Sequence, residues 1–165
     1  MDKKQIFMEK ALRLADEALL LKEFPVGCVI EFDGAVVATG SRTNSRGGNE
    51  IDHAEIIALR NMLNDARGVD LSLVTVYSTM EPCLMCFSTL IVNGVRNFVY
   101  GYEDAMGGGT NLPLSQLAPL YRDIRVEIEG GVMRKDCLAL FKTFFTMAES
   151  TYLKDSYLAS YTLQQ

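Results

Sequence analysis

The chain of 165 residues holds one histidine, no tryptophan and only four cysteines, and its 16 basic residues are outnumbered by 21 acidic ones. The resulting net charge of −5 leaves no basic face in bulk, which argues against a protein that grips phosphates over many contacts. Long apolar runs are missing as well. The stretch that follows Lys3 and Lys4 is interrupted by Glu9, Lys10, Arg13, Asp16 and Glu17, so it is neither a signal peptide nor a membrane span. A cytoplasmic protein with no membrane partner is expected. The scarce cysteines agree, because Cys28 and Cys137 sit in apolar surroundings where a reduced, buried thiol is the default. With 48% hydrophobic and 22% charged residues, the length suits one well-buried domain over residues 1–165.

Against these absences stands one constellation. Cys83 and Cys86 are separated by two residues, follow Pro82, and can aim both sulfurs at one borderline-soft divalent ion. His53, the lone imidazole, supplies a third ligand, and Glu55 two residues on is a carboxylate left free for protons. Three protein ligands leave the fourth tetrahedral position open for water, the mark of a catalytic zinc site. Taken singly, each residue has a plainer reading: a satisfied core histidine, a solvated helix glutamate, a redox cysteine pair. The redox reading accounts for neither His53 nor Glu55.

The segments His53-Ala54-Glu55 and Pro82-Cys83-Leu84-Met85-Cys86 resemble the zinc deaminases of the cytidine and deoxycytidylate deaminase superfamily. Over about residues 5–148 the order of elements is most similar to bacterial tRNA-specific adenosine deaminases. The resemblance implies zinc-dependent hydrolytic deamination, with Glu55 moving protons and with Asn44 and the backbone around Ala54 and Pro82 orienting the base. It also implies a homodimer, by analogy alone. Departures fall near the expected pocket. Ile51 and Asp52 replace the usual threonine and alanine before the histidine, Phe87-Ser88-Thr89 replaces Ala-Gly-Ala after the second cysteine, and the tail from Arg134 is nearly neutral instead of basic.

Hydrophobic periodicity predicts a first helix over residues 2 to about 22, with Phe7, Ala11, Leu14, Ala15 and Ala18 on one face. Val26–Phe32 and Ala35–Thr39 read as strands joined by a tight turn at Asp33-Gly34. Residues 41–52 are a polar loop. A helix from His53 to about Leu63, capped by Asp52, would place His53 and Glu55 in its first turn. After a polar connection at Asn64–Asp70, the expected elements are a strand at Leu73–Thr79, a helix at Cys83–Val92 opened by Pro82, and a parallel strand at Val95–Gly101. Ile124–Glu129 reads as an edge strand and Met133 to about Tyr157 as one closing helix. The fold class is α/β: a cytidine-deaminase-like three-layer α/β/α sandwich on a mixed five-stranded sheet, with the site where two helix N-termini converge.

Substrate choice stays open at this level. A free nucleobase or nucleoside fits the acidic surface better than RNA. An adenosine in an RNA loop and a non-catalytic zinc-binding domain are the alternatives. The Gly107–Gly109 loop and Tyr152, Tyr157 and Tyr161 are candidates to approach or close over a substrate, or to serve as connector and packing residues.

Overall fold

The computed structural model describes residues 2–65 and 68–165. The connection expected at Asn64–Asp70 includes residues 66 and 67, which lie outside the described residues.

Helix α1 (Lys3–Leu20) starts on a capping box: the Asp2 carboxylate accepts from the Gln5 N–H, and the Gln5 side chain accepts from the Asp2 N–H. Its buried side is Phe7, Met8, Ala11, Ala15 and Ala18, so small residues let the helix lie close to the sheet. Strand β1 (Gly27–Phe32) returns as β2 (Ala35–Ser41) through Asp33 and Gly34. Both turn residues have positive φ, 49° and 80°, the hand that matches strand twist in two-residue hairpins.

The sheet order is β2-β1-β3-β4-β5. Strand β3 (Thr75–Met80) pairs antiparallel with β1, whereas β4 (Asn97–Tyr102) pairs parallel with β3 because helix α3 (Leu84–Val92) carries the chain back between them. Helices α1 and α5 (Arg134–Thr146) cover one face. Helices α2 (Ala54–Asp65) and α3 cover the other, giving the three layers that the sequence predicts. Central strand β1 is buried along nearly its whole length, with Cys28, Val29 and Ile30 fully shielded, as its unbroken apolar run requires.

One glycine sets where α2 sits. A Cβ on Gly40 would lie 2.2 Å from the Ala54 carbonyl oxygen and 2.6 Å from the Ala58 nitrogen. The start of α2, which carries Glu55, can therefore press directly on β2.

Three expectations are corrected. Strand β5 is only Glu127–Glu129, exposed throughout, because the short helix α4 (Pro119–Arg122) and the turn that closes it (Ile124 N–H to the Tyr121 carbonyl, 3.0 Å) come before the chain reaches the edge. Asp52 does not cap α2: the His53 carbonyl accepts the first helical bond from Ile57 N–H at 3.0 Å, so His53 holds the cap position. The closing helix is two helices. Met147 leaves the helical region (φ −71°, ψ 132°), and the chain 148–156 that follows is rich in Ser, Thr and Asp, residues with low helix propensity that favour turns. Helix α5 accordingly stops at Thr146, and α6 (Tyr157–Gln164) restarts with the Ser156 side chain accepting from Ala159 N–H.

The tail is fastened through Glu103, just beyond β4. Arg134 Nε donates to its carboxylate at 2.8 Å and the Tyr161 hydroxyl at 2.9 Å. The Arg134 guanidinium holds the Glu103 carboxyl down at about 2 from an ordinary 4.5. A carboxyl depressed in the folded state adds stability above its ordinary pKa and loses it as pH falls toward the depressed one. Glu103→Gln should therefore lower the melting temperature at pH 7, with the gap to the parent narrowing between pH 4.5 and about 2. A gap independent of pH would show that the side chain matters for shape and not for charge.

Candidate active site

The site forms where α2 and α3 begin, at the C-terminal end of β3. Cys83 caps α3 in extended conformation (φ −68°, ψ 172°), and its carbonyl accepts from Phe87 N–H at 2.9 Å. Cys86 lies one turn on and is fully buried. His53 Nδ1 stands 3.5 Å from both sulfurs, and the three donor atoms all lie within 4.8 Å of one another. Zn–S bonds of about 2.3 Å and a Zn–N bond of about 2.0–2.1 Å at tetrahedral angles place N and S roughly 3.5–3.6 Å apart. The donor set and its spacing thus fit zinc with three protein ligands.

Glu55 is 3% exposed. The Ser78 hydroxyl, from β3, donates to its Oε1 at 2.8 Å, and the Cys86 sulfur lies 3.5 Å from its Oε2. Burial raises its pKa above the ordinary carboxylate value, against the opposing pull of a backbone N–H and Ser78. The paired cysteines split: hydrogen bonding with Cys86, then with His53, pulls the Cys83 thiol down to about 4, while Cys86 is pushed up.

A cavity of about 60 Å³ opens onto His53, Ala54, Glu55 and Cys83. Its far side is built by Tyr152, Leu153 and Leu158 from the tail, and by Phe24 and Arg42. Of the three tail tyrosines only Tyr152 lines it: Tyr161 turns to Glu103, and Tyr157 is 63% exposed.

The Gly107–Gly109 loop is anchored beside the site. Gly109 N–H donates to the Pro82 carbonyl at 2.9 Å, and Gly108 bridges to Cys83. A Cβ on Gly109 would lie 2.5 Å from the Leu84 nitrogen and 2.7 Å from the Cys83 carbonyl carbon, so no side chain fits without moving a ligand-bearing turn.

Asn44 is not brought to the cavity. It is exposed, takes a left-handed conformation (φ 57°) at the start of a short turn, and its amide donates to the Asp52 carboxylate at 2.9 Å. Asn49 donates to the same oxygen at 2.8 Å, so Asp52 organises the loop that it was expected to end.

Sequence reasoning missed Ser78, Glu50 and Arg42. Arg42 is 2% exposed and donates to the carbonyls of Thr43, Asn49 and Asp52 at 2.7, 2.6 and 3.0 Å, bracing the loop from inside. An arginine entering a polar loop gives no signal of such burial. Ser78 lies at an ordinary strand position, and Glu50 three residues before the histidine.

A buried carboxylate beside a His-Cys-Cys triad, on an α/β/α frame, defines a zinc-dependent hydrolase. The sequence pattern of the cytidine and deoxycytidylate deaminase zinc-binding region matches residues 1–102, and the chain belongs to that family of hydrolytic deaminases. It is 32% identical over 139 residues to a tRNA-specific adenosine deaminase from Haemophilus influenzae, covering 84% of this chain and 80% of that one. A solved tRNA:A34 deaminase from work on A-to-I editing at the wobble position superposes with a TM-score of 0.68 at 26% identity, covering 81% and 97% of the two chains. A guanine deaminase from Nitrosomonas europaea shares the fold, with a TM-score of 0.70 at 22% identity over 85% of this chain and 83% of that one. Among the described residues no helix is long and apolar enough to cross a membrane.

Proposed function

We propose that the protein deaminates a free amino-bearing nucleobase or nucleoside, releasing ammonia. The observation that carries the small-molecule reading is the tail. Tyr152, Leu153 and Leu158 wall the cavity of about 60 Å³ beside the triad. A base within an RNA loop would have to be extruded into that space past the tail, and the net charge of −5 gives a polynucleotide little to hold.

In this reading His53, Cys83 and Cys86 hold zinc, which when bound supplies a water acidified toward ~7. Glu55 moves the protons. Its Oε1 is tethered by Ser78 at 2.8 Å, which fixes the carboxylate against the triad. Burial makes it a readier proton carrier than an exposed glutamate. It would take one proton from the water and hand it to a ring nitrogen as the water oxygen bonds to the amino-bearing ring carbon, then take the remaining proton from that oxygen and pass it to the amine, so that the C–N bond breaks and ammonia leaves. Ala54, fully buried at the cavity wall, orients the ring; the backbone at Pro82, whose carbonyl accepts from Gly109 N–H at 2.9 Å, would assist from behind Cys83. Asn44 would join them only by leaving Asp52. A cytoplasmic homodimer belongs to the same proposal; Leu84 and Val92, 55% and 64% exposed on α3, are the apolar surface that it would use.

The similarity to tRNA-specific adenosine deaminases supports a second reading, adenosine in a tRNA loop. Ammonia release by the zinc-loaded protein, on cytosine, guanine, adenine, their nucleosides and nucleotides, and an RNA hairpin with adenosine in its loop, separates the two. Turnover of a small molecule with an inert hairpin is expected. Activity on the hairpin alone, falling steeply with salt, would establish the second reading instead.

A further inference from the structure

Three donors from three separate segments converge on one oxygen, Oε2 of Glu50. His53 Nε2 lies 3.2 Å from it, the Tyr152 hydroxyl donates to it at 2.9 Å, and an Arg42 guanidinium nitrogen stands 3.5 Å away. His53 opens α2, Tyr152 belongs to the tail that walls the cavity, and Arg42 leaves the end of β2. The Glu50 side chain itself is 59% exposed. As a surface ion pair it would contribute little to stability.

Its position gives it another use. A neutral imidazole carries one N–H, and whichever nitrogen holds it leaves the other as an acceptor. A carboxylate at Nε2 keeps the proton there, so that the Nδ1 lone pair faces the sulfurs of Cys83 and Cys86, each 3.5 Å away. The same oxygen receives Tyr152, whose ring stacks edge-on against Phe24 at 5.3 Å, with the Arg42 guanidinium 5.5 Å over its face. Docking of the tail and orientation of the histidine therefore depend on one carboxylate conformation.

We propose that Glu50 is a positioning residue that couples the tail over the cavity to the metal site, by holding His53 and Tyr152 on a single carboxylate oxygen. The inference rests on His53, Cys83 and Cys86 being the zinc ligands. Coupling of this kind is reciprocal: if a docked tail strengthens zinc binding, zinc must strengthen docking by the same factor. Neither half requires the substrate to be known.

The test uses the full chain, with zinc affinity read by chelator competition and amide hydrogen exchange of residues 148–158 read with and without zinc. The probe segment holds hydrogen-bonded amides, among them Ser150 N–H to the Met147 carbonyl and Ser156 N–H to Leu153. Glu50→Ala should weaken zinc by ~10- to 100-fold, the usual cost of losing a ligand's outer partner. Glu50→Gln, whose amide oxygen can still accept, should recover most of that loss, and the cobalt-loaded form of Glu50→Ala should show an altered visible spectrum. Zinc should slow exchange in the tail of the parent, and this protection should vanish in Glu50→Ala. Tyr152→Phe, tested in both backgrounds, should weaken zinc in the parent and have no effect once Glu50 is Ala. Unchanged zinc affinity in Glu50→Ala, with His53→Ala losing zinc, would overturn the coupling and leave the ligand set intact. Zinc retained by His53→Ala would overturn both. Tail protection by zinc that persists in Glu50→Ala would also overturn the coupling.

Discussion

Glu55→Gln should bind zinc as the parent does and lose turnover by at least ~10²-fold, within the ~10²- to 10⁴-fold that positioned proton transfer contributes. The substitution is nearly isosteric. Its amide oxygen can keep the bond from Ser78, so the fold and the triad behind it should stand. What disappears is a group able to accept and return protons at a site 3% exposed, where no bulk water stands ready to replace it. Metal content by atomic absorption, together with steady-state rates, separates the two effects. A zinc-loaded, fully active Glu55→Gln would remove the residue from the chemistry.

Cys86→Ala should lose metal and soluble yield together. The sulfur is fully buried, 3.5 Å from His53 Nδ1 and 3.5 Å from a Glu55 oxygen, inside the first turn of α3. Its removal deletes a ligand and leaves a void between a buried carboxylate and an imidazole, which costs more than packing alone. Zinc affinity should fall by more than the ~10- to 100-fold typical of an outer partner. Chelator competition and the soluble fraction on expression read both consequences, and an active, zinc-retaining Cys86→Ala would take it out of the ligand set.

The two halves of the metal site were legible because their chemistry is local. Pro82, Cys83 and Cys86 sit within one turn, and the helix that they open is required by the parallel return to β4. The hairpin at Asp33-Gly34 was legible for a similar reason, since positive φ at both positions selects those residue types. What the sequence concealed depends on contacts between distant segments. Ser78 meets Glu55 across 23 positions, and Tyr152 meets Glu50 across 102. Neither residue departs from its local pattern. The tail misled for another reason. The apolar spacing of Cys137, Leu138, Phe141, Phe144 and Phe145 is real, but Met147 turns extended (φ −71°, ψ 132°) and ends the helix, and the chain crosses the cavity before Ser156 caps α6. Asn44 shows how one neighbour redirects a side chain: its amide donates to Asp52, an acceptor that stands in place of the alanine expected before the histidine.

The most direct measurement is ammonia release as a function of zinc content. Metal-free protein is titrated with zinc in the presence of whichever small substrate the panel identifies. Turnover should rise in proportion to bound zinc and level off at one zinc per chain, as one triad of His53, Cys83 and Cys86 requires. Undiminished turnover by metal-free protein, or a plateau unrelated to zinc content, would contradict a zinc-dependent deaminase built on this site.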